Sequence, residues 1–139
     1  MSGIETAAWV AALRERAARA RFGATGKALL NAEQNAVAQR ERVAAAGLPG
    51  SSTGTVTFDL ADWHAVASMR AAASREADGA VTAAGDARQE ALIAWQDTSR
   101  RREALDEVVA RWRAARRVQA DKDAQRLMDD LGRRKRDRA

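Results

Sequence analysis

The sequence predicts an all-α fold, a long antiparallel two-helix coiled-coil hairpin whose second helix overhangs the first. Three observations support this prediction: a composition rich in alanine and arginine, a single break that contains the only proline, and apolar residues at heptad spacing on both sides of that break. Hydrophobic residues make up 46% of the chain but aromatic residues only 4%, so little large apolar volume is available for a globular core. Extended helices fit this composition better than a compact globule does.

The first helix is predicted to run from residue 3 to residue 46. Ser2 and Glu5 match a capping box, in which each side chain accepts a hydrogen bond from the backbone amide of the other residue. No proline interrupts the chain until Pro49, which follows Gly47 by two residues. Glycine can adopt the left-handed conformation that ends a helix, and proline prevents the helix from resuming.

A linker is predicted at residues 47–58, and a second helix at residues 59–135. Asp59 can cap the second helix, and Asp62 lies in its first turn, where the helix dipole favours negative charge. Only isolated glycines interrupt the rest of the chain, and each of them costs about 1 kcal/mol relative to alanine without ending a helix. We therefore expect one coiled-coil domain over residues 1–139.

Both predicted helices have apolar residues in alternating steps of four and three, the spacing of a coiled-coil seam. The seam of the first helix comprises Ile4, Ala8, Ala11, Glu15, Ala18, Phe22, Thr25, Leu29, Ala32, Ala36, Gln39 and Val43. The seam of the second comprises Leu60, Trp63, Ala67, Arg70, Ser74, Ala77, Val81, Ala84, Arg88, Ala91, Trp95, Thr98, Arg102, Leu105, Val109 and Trp112. We expect the two helices to pack along these seams.

The simplest hairpin pairs the helices outward from the linker, with Val43 near Leu60 and Ile4 near residue 100. In that register everything beyond about residue 105 has no intramolecular partner. An exposed apolar stripe on such a helix is a candidate docking surface. The apolar residues expected to be uncovered are Leu105, Val109, Trp112, Val118, Leu127 and Leu131.

The distribution of charge separates the chain into three segments. Residues 1–58 have a net charge of +3, residues 59–99 of −4, and residues 100–139 of +6. Acidic residues are interleaved with the basic clusters of the last segment, whereas nucleic-acid binding favours an unbroken basic stripe. We therefore expect no nucleic-acid partner.

The sequence lacks the residue types on which most catalytic sites depend. It has no cysteine and no tyrosine, and its one histidine, His64, stands beside Trp63 near a predicted helix start. We expect no catalytic, cofactor-binding or metal-binding residues, and hence no enzyme. The apolar runs are far shorter than the roughly 20 residues that cross a bilayer, and no signal-peptide pattern is present.

The C-terminal third resembles the closing pattern of the FliJ family, a component of the bacterial flagellar type III export apparatus. Residues 90–95 (EALIAW), 100–107 (RRREALDE) and 121–130 (DKDAQRLMDD) carry the resemblance. The shared pattern is charged heptads around a leucine, a basic stretch, then an acidic pair and a basic tail.

The resemblance implies an antiparallel coiled coil similar to the central stalk of rotary ATPases. It implies three partners: the export ATPase FliI, the cytoplasmic domain of the export gate protein FlhA, and export chaperones. It also implies a cytoplasmic location, peripheral at the inner face of the cell membrane through the export apparatus. We expect a monomeric hairpin.

Partner-binding residues are predicted in two places. Strong positive charge and uncovered apolar residues coincide at Trp112, Arg113, Arg116, Arg117, Leu127 and Leu131. The family resemblance adds Trp63, Val66 and Arg70, early in the second helix, as a contact for the export gate. Two alternatives stay open: another coiled-coil adaptor, such as an injectisome stalk protein, and a basic helical nucleic-acid-binding protein.

Overall fold

The computed structural model describes residues 2–45 and 60–138. Within these residues the chain forms two α-helices that pack against each other, α1 (Gly3–Ala45) and α2 (Leu60–Asp137), and no strand. The prediction of an all-α chain with two packed helices is confirmed. Helix α2 extends two residues beyond the predicted end at residue 135. The predicted linker at 47–58 and the predicted cap Asp59 lie outside the described residues.

The start of α1 has the predicted capping box. The backbone amide of Ser2 donates a hydrogen bond to Oε2 of Glu5 at 3.2 Å, and the amide of Glu5 donates to Oγ of Ser2 at 3.3 Å. The amide of Thr6 then donates to the carbonyl of Ser2 at 3.0 Å. These bonds satisfy first-turn amides that have no partner inside the helix.

The described residues form two compact units, and each contains a stretch of both helices. The terminal unit comprises Met1–Arg16 and Asp97–Ala139. The central unit is Ala17–Gln96.

The predicted seam is the buried face of each helix. In α1 every seam position except Val43 is buried or half-buried, and in α2 the exceptions are Leu60, Arg70 and Arg88. The buried core consists mainly of alanine, whose small side chain lets two helix backbones approach closely. The buried apolar residues are Ala11, Ala36, Ala77, Ala91 and Val109.

In the central unit, an aromatic contact joins the two helices. The ring of Phe22 stacks on Trp95 with a centroid distance of 5.4 Å and an interplanar angle of 27°. The guanidinium of Arg88 lies 5.3 Å from the centre of the Phe22 ring, a cation–π geometry. Further along α1, Arg40 forms an exposed ion pair with Asp78 at 2.8 Å.

In the terminal unit, two ion pairs join the helices. Nη1 of Arg102 lies 3.1 Å from Oε2 of Glu15, and Nη2 of Arg113 lies 3.2 Å from Oε1 of Glu5. Glu15 is only 8% exposed, so its carboxylate depends on such partners. A second carboxylate, that of Asp106, lies 3.6 Å from Nε of Arg102.

The predicted register of the hairpin is wrong. In the terminal unit Glu5 contacts Arg113, about two heptads beyond the predicted neighbourhood of residue 99. Val109 is buried, and Leu105 and Trp112 are half-buried, so these three residues are not uncovered as predicted.

The central unit shows the same error, because Arg40 pairs with Asp78 although the prediction placed Val43 beside Leu60. The physical reason is that a slip of whole heptads brings seam positions opposite seam positions again. Periodicity therefore cannot choose between such registers.

Candidate partner-binding surfaces

The C-terminal segment, defined here as residues 113–138, is exposed at every residue. Leu127 is 62% exposed and Leu131 is 52% exposed. Val118 and Met128 are exposed as well. The prediction of an uncovered apolar stripe therefore holds for Val118, Leu127 and Leu131, and the uncovered part begins later than predicted.

Trp112 marks the boundary between the covered and the uncovered part of α2. Its indole is half-buried, and the guanidinium of Arg116 lies 4.8 Å from the centre of the Trp112 ring system. A shallow groove of about 390 Å³ lies around it. The residues that line this groove are Glu5, Trp112, Arg113, Arg116, Arg117 and Ala120. The structure thus brings four of the predicted partner-binding residues together, while Leu127 and Leu131 lie further along the helix.

Glu5 also lines this groove, although the sequence analysis placed it only in the capping box. Its pKa lies below the ordinary value of a glutamate, first because the Ser2 amide donates a hydrogen bond to the carboxylate. The hydrogen bond and positive charge of Arg113 lower the pKa further. The ionised Glu5 carboxylate pairs with Arg113 on the groove wall, and Arg113 and Arg117 are both exposed.

The second predicted site lies in the central unit. Trp63 is half-buried and its ring contacts His64 edge to face, with centroids 5.0 Å apart and an interplanar angle of 70°. Val66 and Arg70 are exposed. They line a groove of about 480 Å³, and its remaining residues are Gln39, Arg42, Met69 and Ala73.

Trp63 does not line that groove, so the structure brings together two of the three predicted residues. Met69, which is 72% exposed, is the largest apolar side chain there, and the sequence reasoning missed it. Its position three residues after Val66, on the same helix face, was the available signal.

A third groove, in the terminal unit, was not predicted at all. It has a volume of about 420 Å³ and combines apolar side chains with two arginines, so it can contact a partner but holds no nucleophile–base pair. The groove could not be found without the correct register, because both helices contribute to it. Its lining residues are Gly3, Thr6, Ala7, Val10, Ala11, Arg14, Thr98, Arg101 and Leu105.

Among the described residues, no group of three or more histidine or acidic side chains could hold a metal ion. Neither described helix contains an apolar stretch long enough to cross a membrane. Comparisons with protein-family models, with curated proteins and with solved structures gave no match for this chain.

Proposed function

We propose that this chain is a non-enzymatic stalk or adaptor of the flagellar type III protein export apparatus, similar to FliJ. It binds the export ATPase FliI through the Trp112 groove and the C-terminal segment, contacts the export gate protein FlhA, and helps to cycle export chaperones. Through these partners it lies at the inner face of the cell membrane. One observation carries the proposal: α2 continues from Arg113 to Asp137 as a helix whose basic and apolar side chains are all exposed.

The proposed architecture is a monomeric antiparallel coiled coil. Two observations support it, the burial of the heptad seam and the order of the contacts within each unit. In the central unit, Phe22 contacts Trp95 and the later residue Arg40 contacts the earlier residue Asp78. A two-stranded coil that continues as a single helix can enter a ring or bridge two assemblies, and it needs no active site for that task.

The Trp112 groove is the proposed ATPase contact because of its residue types and their order. Tryptophan and arginine contribute most of the binding energy at many interfaces. The contact between Arg116 and the Trp112 ring limits the rotamers of both side chains, so less entropy is lost when a partner binds. Arg117 adds positive charge, which favours an acidic partner surface.

The decisive experiment measures stimulation of the purified ATPase by the purified chain, together with swimming motility. Trp112→Ala, and separately Arg116→Glu with Arg117→Glu, should each reduce stimulation by about tenfold or more, while helix content stays nearly unchanged. Arg113 is left intact in this test because it pairs with Glu5. The matched control is Arg19→Glu with Arg21→Glu, which makes the same change in net charge at exposed residues of the central unit.

A truncation after Ala114 tests the proposal more broadly. It removes most of the C-terminal segment and keeps every contact between α1 and α2 described above. Wild-type stimulation and motility of this truncated chain would show that the working surface lies elsewhere.

Binding to an injectisome ATPase but not to the flagellar enzyme would favour the injectisome alternative, and DNA affinity that falls steeply with salt would favour the nucleic-acid alternative.

The proposed contact with the export gate uses Val66, Arg70 and the neighbouring Met69, with Trp63 supporting the start of the helix. Val66→Asp with Met69→Asp should weaken binding to the cytoplasmic domain of FlhA by about tenfold, because both side chains are exposed and apolar. Leu30→Asp is a suitable control, since Leu30 is also an exposed apolar residue of the central unit. Unchanged affinity of the double variant would exclude this site.

A further inference from the structure

The C-terminal segment carries a second heptad seam that is distinct from the one facing α1. Its positions follow steps of three and four, and every one of them is exposed. The seam has small or apolar residues in the middle and an arginine at each end. Its members are Arg117, Ala120, Ala124, Leu127, Leu131 and Arg134.

This second seam does not continue the first. Extending the first seam from Trp112 in its own steps of four and three reaches only polar residues, namely Arg116, Gln119, Asp123, Arg126 and Asp130. The second seam is offset by one residue, which turns it by about 100° around the helix axis. The change of face occurs where the cover by α1 ends, since Arg113 is the last residue of α2 described in contact with α1.

The shape of the second seam favours a helix as its occupant over a membrane. Two seam positions per heptad form the narrow stripe of a coiled coil, whereas a helix that lies in a bilayer surface presents a broader apolar face. Acidic residues border the stripe, including Asp121 and Asp123, so the charge beside it is mixed. A helix that lies on an anionic membrane instead has a polar face rich in lysine and arginine.

The charges of the second seam also disfavour a second copy of this chain. In a parallel pair, Arg117 would face Arg117 and Arg134 would face Arg134. In an antiparallel pair that aligns the apolar positions, Arg117 would face Arg134. Like charges oppose each other in both arrangements, so the charge pattern calls for carboxylates on the occupant.

We propose that the C-terminal segment forms a two-stranded coiled coil with one helix of another protein. That helix has an apolar stripe of about two heptads with glutamate or aspartate at the seam positions beyond each end. Leu127 and Leu131 pack against its stripe, and Arg117 and Arg134 pair with its carboxylates. The inference rests on the second seam alone and does not depend on the export apparatus.

A designed peptide tests this inference on the full-length chain by isothermal titration calorimetry. The probe is a four-heptad helix with leucine at the seam positions of the two middle heptads and glutamate at those of the two outer heptads. Because arginine stands at both ends of the second seam, this peptide can bind in either orientation. The control peptide has lysine in place of glutamate, and we expect it to bind about tenfold more weakly or not at all.

Two variants locate the binding on the second seam. Leu127→Asp with Leu131→Asp should abolish binding of the acidic peptide, and the melting temperature should not change because both leucines are exposed. Arg117→Glu with Arg134→Glu should reverse the preference between the two peptides. Arg126→Glu with Arg133→Glu is the matched control, because it makes the same change in net charge on the same segment but off the second seam. We expect it to retain the preference for the acidic peptide.

Four results would overturn the inference. The first is no binding of the acidic peptide to the wild-type chain. The second is that the matched control loses the preference for the acidic peptide as fully as the variant with Arg117→Glu and Arg134→Glu does. Binding would then depend only on net charge. The third is binding to phosphatidylserine vesicles without binding to the peptide. The fourth is a dimer of the chain, seen by sedimentation, that the double leucine variant abolishes. No export protein is present in these assays, so they stand apart from the test of the proposed function.

Discussion

The stretches 60–112 and 113–137 of α2 are parts of one helix, but they are stabilised in different ways. The first stretch places its seam against α1, where Ala91 is 1% exposed and Val109 is 8% exposed. The second stretch has no buried residue. Helical conformation can therefore continue beyond tertiary packing, and the exposed stretch must obtain its stability from local interactions.

Those local interactions are individually weak. Nε2 of Gln119 donates a hydrogen bond to Asp123, four residues later, at 3.0 Å, and such a pair stabilises a helix by about 0.2–0.5 kcal/mol. The bases Arg134, Lys135 and Arg136 in the last turn interact favourably with the helix dipole. A helix of this length is marginal in isolation, so the segment depends on the packed helix that precedes it. Substitutions in the two stretches should consequently differ in their effect on stability.

The largest expected effect on stability comes from a charge in the packed face. Phe22→Asp should lower the free energy of unfolding by about 2–3 kcal/mol, because an unpaired carboxylate would replace the ring that stacks on Trp95. Leu29→Asp should act in the same direction. Thermal melts followed by circular dichroism measure this effect.

Leu127→Asp in the C-terminal segment is the matched control for these variants. It places the same charge on an exposed leucine, and the melting temperature should stay unchanged. If all three variants melted at the same temperature as the wild type, the packed face would be assigned incorrectly.

A smaller effect is expected from the partly buried ion pair of the terminal unit. Arg102→Ala should destabilise the chain by roughly 1–2 kcal/mol, because Glu15 is almost fully buried and loses a charge-assisted hydrogen bond. Combining it with Glu15→Leu should recover most of the loss, since the buried carboxylate is then absent. Arg101→Ala, which removes an exposed pair with Asp97, should cost less than about 0.5 kcal/mol in the same urea titration.

Acid sensitivity tests the capping box at the start of α1. The pKa of Glu5 is lowered by folding, so Glu5 stabilises the folded state above the pKa of an unfolded glutamate, about 4.3. This stabilisation is lost as the pH falls through the lower pKa of the folded state. Glu5→Gln should therefore have a lower melting temperature than the wild type at pH 7. This difference in melting temperature should shrink as the pH is lowered below about 4.

The control for this prediction is Glu103→Gln, since Glu103 is an exposed carboxylate of the same unit. The difference in melting temperature between Glu103→Gln and the wild type should show no comparable change over that pH range. If the melting temperatures of Glu5→Gln and the wild type differed by the same amount at every pH, the ionised Glu5 carboxylate would not stabilise the start of α1 as assigned.

The smallest effect on stability should come from removing the C-terminal segment. A chain truncated after Ala114 should melt within about 2 °C of the full chain, because the described residues that it removes, 115–138, are all exposed. Its helical signal should fall in proportion to the residues lost. A large drop in melting temperature would mean that the exposed stretch stabilises the packed one. The two stretches would then not be stabilised independently.

The candidate surfaces could be predicted only in part. Residue type and position along the helix were enough to single out Trp112, Arg116 and Arg117, because these depend on one helix alone. Glu5 in the Trp112 groove could not be predicted, since it comes from the other helix. The groove of the terminal unit that Val10 and Leu105 help to line could not be predicted either, because it needs both helices in the correct register.

The sequence by itself determined the two helices, the capping box of Ser2 and Glu5, and the face of each helix that is buried. All three depend on local hydrogen bonding and on a 3.5-residue period, which can be read from neighbouring residues. Only the tertiary structure decided which heptad of α1 packs against which heptad of α2. A slip of two heptads preserves the seam, so the choice depends on specific contacts such as Phe22 with Trp95 and, in the terminal unit, Glu15 with Arg102. Those contacts join residues far apart in the chain, and for that reason the start of the uncovered part of α2 could not be found from periodicity.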